Sequence, residues 1–237
     1  MTVTASKQPS GISRVRQKTL ERRRQLVALS TRGIFEQGYD KFSVNDLAAA
    51  AGLSVGGLYR YISTKSDLLV MACEDIYGGL YEALMETARE SAGSETQLRT
   101  AFGLYLDSCE AAKDQVLLLY REYQHLPRAE QRRYKDREAR IADLFAEIIT
   151  AGQRSGEFAQ ADAKTVAQDM VLLGHLPALK SWTLGERVGQ RLASEQVDFV
   201  IAGLTSGRTK PKKRAVRTQL TRVGAASTIA TESEGTP

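Results

Sequence analysis

The sequence predicts an all-α protein of about nine helices, on three observations. Apolar residues recur every three or four positions along most of the 237-residue chain, the period of helices with one buried face. Glycine and Ser/Thr/Asp fall where that period stops and restarts, as helix ends require. No stretch alternates apolar and polar residues between hairpin-type turns, so strands have no signal. A content of 42% hydrophobic and 26% charged residues is ordinary for a globular chain. The length suits one large domain, or a small one joined to a larger.

Each element can be justified in order. Residues 1–13 are rich in Ser, Thr, Pro and Gly, the composition of a disordered segment. A first helix spans about Val15 to Gln37, burying Leu20, Val27, Ile34 and Phe35, and Gly38 ends it. Two short helices follow at about 44–50 and 55–61. A long fourth helix runs from Lys65 to about Ser91, with Ser63 or Thr64 as N-cap and Asp67 in its first turn. Leu98, Ala101, Phe102, Tyr105, Leu106 and Cys109 define a helix over 94–112, and 114–125 is apolar at Val116, Leu117, Leu119 and Tyr120. Pro127 starts a helix to about Arg154, apolar at Ile141, Leu144, Phe145, Ile148 and Ile149, which Gly152 and Gly156 close. Helices over 162–184 and 193–205 complete the set, and 206–237 is a basic, then Thr/Ser/Ala-rich, tail expected to be disordered. The organisation is thus a disordered segment 1–13, a small unit 14–65, a larger helical unit 66–205 and the tail.

Several function classes are excluded. No run of about 18 apolar residues exists to span a membrane, and the N-terminus lacks the apolar stretch of a secretory signal. Cys73 and Cys109 have no metal-type spacing and read as reduced thiols of a cytoplasmic protein. There is no glycine-rich phosphate loop, nucleophile–base set or His/Cys/carboxylate cluster, so neither an enzyme, a metal site nor a cofactor is expected. Charge is sorted along the chain. Residues 11–65 carry ten Lys/Arg against four Asp/Glu, residues 66–207 carry fifteen against twenty-two, and residues 208–222 carry seven Lys/Arg and no acid. A basic module on an acidic body calls for a polyanion at one end.

The basic module contains a bihelical pattern over residues 43–62. Ser43 caps the first helix, whose Leu47, Ala48 and Ala51 form a face small enough for a close helix crossing. Gly52 supplies the tight turn, Leu53 plugs the core, and Ser54 caps the second helix. That helix turns Leu58 and Ile62 inward and Val55, Gly56, Tyr59 and Arg60 outward. Short residues at its start permit close approach to a major groove, and Arg60 can reach guanine or phosphate. Tyr59, Tyr61 and Lys65 are placed for phosphates, which set register. The run Arg14, Arg16, Lys18, Arg22, Arg23 and Arg24 can serve as a basic arm, although elsewhere such a run is a solvated face. The expected DNA-binding set is Arg22, Arg23, Ser43, Ser54, Gly56, Tyr59, Arg60, Tyr61 and Lys65.

From Ile34 to Leu69, reading IFEQGYDKFSVNDLAAAAGLSVGGLYRYISTKSDLL, the sequence resembles the TetR family of bacterial transcriptional regulators. It departs from the family pattern at Ile62, where phenylalanine is usual, and at Tyr61, often histidine. The resemblance implies a homodimer on palindromic double-stranded DNA in the bacterial cytoplasm. It also implies a ligand pocket behind the helix-turn-helix, and a dimer interface made by the last two helices. Leu172, Leu173, Leu176 and Leu179, with Val197, Val200, Ile201 and Leu204, supply apolar faces there, which an intramolecular core would equally explain. A ligand-responsive repressor is the expected function. The alternative is a ligand-insensitive or activating regulator whose C-terminal domain is structural.

The stretch Leu119 to Leu126, LYREYQHL, followed by Tyr134-Lys135-Asp136-Arg137, is similar to the branch of that family that senses acyl-CoA thioesters. The resemblance implies a small-molecule effector of that kind. Phe102, Tyr105, Tyr120, Tyr123, Tyr134, Phe145 and Trp182 could then line an acyl cavity, with Arg121, Arg128, Arg132, Arg133 and Arg137 for phosphates. The alternation of Arg128 to Arg140 with Glu130, Asp136 and Glu138 reads equally as an exposed salt-bridged helix. His125 and His175 read as hydrogen-bonded polar side chains, and Trp182 suits core or interface as well as pocket.

Overall fold

The structure, a computed structural model, describes residues 11–185 and 189–206, with backbone alone for 11–16. Among the described residues there are ten α-helices and no strand: α1 (Gly11–Gln37), α2 (Val44–Ala50), α3 (Val55–Leu58), α4 (Asp67–Tyr77), α5 (Leu80–Arg89), α6 (Ser94–Ala111), α7 (Lys113–Glu122), α8 (Arg128–Ser155), α9 (Ala163–Leu184) and α10 (Gln190–Thr205). A 3-10 turn, Tyr123–His125, joins α7 to α8. The segments expected to be disordered, 1–13 and 206–237, lie outside the described residues except at their inner ends. There Gly11 to Ser13 already belong to α1 and Ser206 caps α10.

Two expected helices are corrected. The long helix from Lys65 to Ser91 is two helices, because Gly78 leaves helical geometry and Gly79 adopts φ +79°, which a side chain would strain. The apolar period runs on across the joint through Ile76, Tyr77, Leu80 and Leu84, all buried, which is why it read as one helix. The second helix of the bihelical pattern is a single turn that ends at Leu58, not at 61, with Tyr59 as C-cap. The fourth helix also lacks the expected cap. Neither Ser63 nor Thr64 serves as N-cap; the Asp67 carboxylate instead accepts the amides of Ser63 (2.6 Å) and Thr64 (2.9 Å).

One buried apolar core runs through the whole fold. In the N-terminal part it comprises Leu26, Ile34, Phe42, Leu47, Leu58 and Leu68, and a Cβ on Gly33 would lie 2.2 Å from the Phe42 ring, so α1 must offer glycine there. Behind it, α6 packs against α5, α8, α9 and α10. Pro177 interrupts α9 and has no N–H for the Leu173 carbonyl one turn earlier. Gln196 of α10 supplies the missing donor, its buried Nε2 reaching that carbonyl at 3.0 Å. Val197, Val200, Ile201 and Leu204 turn into this core rather than outward, while Leu172 (55% exposed) and Phe199 (74%) face out. The apolar face of α10 that the sequence offered to a partner is thus used within the chain.

Candidate functional site

The helix-turn-helix is built by local bonds. Ser43 Oγ accepts the Asp46 amide at 3.1 Å and the Asp46 carboxylate accepts the Ser43 amide at 3.0 Å, a reciprocal capping box. The Ser43 hydroxyl and amide hold the Asp46 carboxyl below its ordinary range. Gly52 turns the chain at φ +63°, and Ser54 Oγ accepts the Gly57 amide at 3.0 Å to start α3. At Asp67 burial would raise the carboxyl, but the Thr64 and Ser63 amides and the Thr64 hydroxyl hold it below its ordinary range. That clamp fixes the loop between α3 and α4.

The exposed face that results carries Val55, Gly56, Tyr59 and Arg60, with Leu58 fully buried beneath. Nothing lies within 4 Å of where a Gly56 Cβ would be, so the backbone is open to close approach. Tyr61 is half-buried and, with Lys18, Arg22 and Gln25, lines an open groove of about 490 Å³ beside α1. Arg22 donates to the Ala51 carbonyl at 3.3 Å and to Gln25 Oε1 at 2.7 Å, bracing α1 on the end of α2, while Arg23 is exposed. Ser43 and Ser54 are engaged as caps. Lys65 points its ammonium at the chain's own carbonyls of Tyr39 and Asp40 and over the Tyr39 ring at 4.4 Å. The side chains of Arg14 and Arg16 lie outside the described residues.

Behind this head, five helices bring together a polar cluster whose His175, Tyr105 and Tyr77 are buried, while Glu138 (side chain 26% exposed) and Tyr120 (46%) reach the surface of the body. Tyr77 (α4) and Tyr134 (α8) donate to Glu138 Oε1 at 3.0 and 2.8 Å. Tyr105 (α6) lies 3.1 Å from His175 Nε2 (α9) and donates to the Val171 carbonyl at 3.2 Å, and Tyr120 (α7) lies 2.9 Å from His175 Nδ1. With His175 neutral, these bonds are satisfied when Nε2–H donates to the Tyr105 oxygen and Nδ1 accepts from Tyr120. Burial pushes the His175 imidazole down to about 4. Burial raises the Glu138 carboxyl, although the Tyr134 and Tyr77 hydroxyls act against it. Tyr123 adds an orphan, since its ring edge meets Tyr134 at 5.8 Å and its hydroxyl is buried without a partner.

The residues expected to line an effector cavity therefore separate. Phe102, Tyr105 and Phe145 are fully buried and packed edge to face, at 5.8 Å for Phe102–Phe145 and 5.7 Å for Tyr105–Phe145. Tyr120, Tyr123 and Tyr134 surround the polar cluster. Arg121 is not with them: its guanidinium lies over the Phe35 ring of α1 at 5.3 Å. Arg137 is bonded to Glu74 on α4. Trp182, 71% exposed beyond the kink at Lys180, does not line the core. Arg128, Arg132 and Arg133 are exposed, as the salt-bridged-helix reading has it, with Arg133 bonded to Glu130 at 3.1 Å. Glu138 and Tyr77 were missed. The signal for Glu138 was its register: four residues after Tyr134 and three before Ile141, it falls on the buried stripe of α8 despite its charged neighbours.

A helix-turn-helix head on a body of seven helices, α4 to α10 among the described residues, defines a DNA-binding transcriptional regulator. Residues 26–72 match the model for "Bacterial regulatory proteins, tetR family", and residues 91–204 match "Tetracyclin repressor-like, C-terminal domain". Together these span about two thirds of the chain, and the protein belongs to the TetR family. Its curated relatives are transcriptional regulators rather than enzymes. The HTH-type transcriptional regulator HbdR of Aromatoleum sp. (strain CIB) is 26% identical over 168 residues, 70% of this chain and 73% of HbdR. Two crystal structures share the fold. AibR in complex with isovaleryl coenzyme A and operator DNA has a TM-score of 0.62 at 18% identity, over 78% of this chain and 99% of that one. FadR from Bacillus subtilis in complex with stearoyl-CoA has a TM-score of 0.59 at 18% identity, over 76% and 98%. No helix among the described residues is long and apolar enough to cross a membrane.

Proposed function

We propose that the protein is a repressor of the bacterial cytoplasm that binds a palindromic operator as a homodimer and leaves it when an acyl-CoA thioester enters the body. Residues 14–65 act as the DNA-binding head and 66–205 as the effector and dimerisation domain. The observation that carries the effector reading is the polar cluster around Glu138 and His175, with the unpartnered Tyr123 hydroxyl beside it. Holding an imidazole fully buried and a carboxyl largely out of water is expensive, and apolar residues of similar shape would often be at least as stable. An orphan buried hydroxyl is a donor suited to an incoming carbonyl oxygen, such as that of a thioester. AibR and FadR, which share the fold, are described with CoA esters bound. Release follows if the ester prefers a repacked body whose two heads no longer match the operator spacing. Dimerisation through the outer faces of α9 and α10 accounts for the exposure of Leu172 and Phe199.

The closed packing of Phe102, Tyr105 and Phe145 favours a second reading, a ligand-insensitive regulator with a purely structural body. A gel shift on the DNA upstream of the protein's own gene, titrated with acyl-CoAs from acetyl to stearoyl and with the free acids, separates the two. Release by at least one CoA ester is expected. A shifted complex that no ester dissolves would leave only the second reading standing.

A further inference from the structure

Where the α4–α5 joint meets α8, a surface cleft of about 220 Å³ is lined by Glu74, Tyr77, Gly79, Tyr81, Arg137 and Arg140 among others. We propose that this cleft holds the phosphate-bearing part of the effector, Arg137 and Arg140 exchanging their glutamate partners for phosphate oxygens; the proposal rests on the acyl-CoA reading above. Its volume is below the ~300–1,000 Å³ of pockets that enclose a whole drug-sized ligand, so it suits a diphosphate group, not a complete thioester.

Two features suit an anion, and a third suits the rest of the ligand. The two guanidiniums stand one helical turn apart on α8, and their planar forks match phosphate oxygens. Each is held ready by a weak partner across the seam. Arg137 bonds the Glu74 carboxylate, with the two side chains 30% and 44% exposed, and Arg140 stands 3.9 Å from Glu82, at 56% and 70%. Such exposed pairs contribute little to stability, so a multiply charged phosphate can displace a single carboxylate. The Arg140 guanidinium is also spread over the Tyr81 ring at 4.0 Å, which fixes its plane and leaves its N–H edge for the ligand. Third, the cleft leads to the polar cluster. Tyr77 lines the cleft and donates its hydroxyl to Glu138, so phosphates held outside would aim the acyl end at the body's centre. Glu74 and Glu82 serve as gatekeepers, competing with any anion for the arginines.

The test compares the CoA ester that releases operator best with the matching acyl-pantetheine, which lacks the nucleotide phosphates, using calorimetry on the full chain. The wild type should bind the CoA ester about tenfold tighter or more. Arg137→Gln with Arg140→Gln should reduce CoA ester binding to the pantetheine level and leave pantetheine binding unchanged, with operator binding in the absence of ligand confirming the fold. Glu74→Gln, which removes the competitor, should tighten the CoA ester several-fold, where a merely structural ion pair would give no gain. A preference for CoA that survives in the double variant, or its absence in the wild type, overturns the proposal. Binding of neither ester overturns the acyl-CoA reading itself, and this proposal with it.

Discussion

The two halves of this molecule satisfy their polar groups in opposite ways. In the DNA-binding head, the caps and turns of the motif close over three or four residues, Ser43 with Asp46, Ser54 with Gly57 and Asp67 with Ser63 and Thr64, with Arg22 to Ala51 and Lys65 to Tyr39 as the longer ties. In the C-terminal helical body the polar cluster has one local bond, Tyr134 to Glu138, but Tyr120 and His175 are 55 residues apart, Tyr77 and Glu138 are 61, and Tyr105 and His175 are 70. A locally closed head moves as a unit. A body whose polar centre ties α4, α6, α7, α8 and α9 together cannot admit a ligand at one wall without shifting the others. The halves meet where the Tyr39 ring stacks on His125 at 4.2 Å and Arg121 covers Phe35, so the turn after α7 can hand a shift in the body to the head.

The contrast can be broken in graded steps. Phe145→Ala should have the largest effect, removing a fully buried ring from between Phe102 and Tyr105 and lowering stability by about 3–5 kcal/mol in urea unfolding. The next effect is one of pH. His175 is neutral in the fold down to about 4, whereas in the unfolded chain it takes a proton near its ordinary 6.5. Between those values the unfolded state binds more protons, so stability falls as pH falls, by up to about 3 kcal/mol. Glu138 works in reverse: its raised carboxyl lets the fold take up a proton before the unfolded chain does, which offsets part of the loss. Unfolding of Glu138→Gln between pH 7 and 4 should therefore show a steeper decline than the wild type, and His175→Gln a shallower one. Three equal slopes would mean that neither group titrates as its burial requires.

Smaller effects belong to the head. Arg60→Ala should weaken operator binding by roughly 1–3 kcal/mol, measured by fluorescence anisotropy, and relax selectivity at one base pair if Arg60 reads a base. Undiminished affinity would place Arg60 off the DNA. Ser43→Ala removes both bonds between the Ser43 hydroxyl and Asp46 and should lower thermal stability by about 1 kcal/mol while leaving the pH slope of the body untouched. A changed slope would show that the halves are not separately satisfied.

This division also explains what could be read from the sequence. Ser43, Gly52, Ser54 and Leu58 act where their spacing placed them, because caps and turns depend on neighbours in the chain. The joint at Gly78–Gly79 was hidden by an apolar period that continues through it. In the body, apolar spacing placed Phe102, Tyr105 and Phe145 on inward helix faces, where they were expected to line a cavity, but it carried no information on which hydroxyl meets which acceptor 55 to 70 residues away. Glu138 was masked by the arginines around it. The outward turn of Phe199 and Trp182 depends on how α9 and α10 pack, which involves the bond from Gln196 to the Leu173 carbonyl that no local pattern encodes.

In the proposed function the polar cluster around Glu138 and His175 senses a ligand on behalf of the head. By linkage, an ester that loosens operator binding must itself be bound more weakly when operator is present, by the same factor. Calorimetry of the releasing acyl-CoA with and without saturating operator DNA measures that factor directly. Ester binding should be weaker on DNA by about 5–150-fold, with the difference lost in Glu138→Gln. Equal affinity in the two states of the wild type would contradict it.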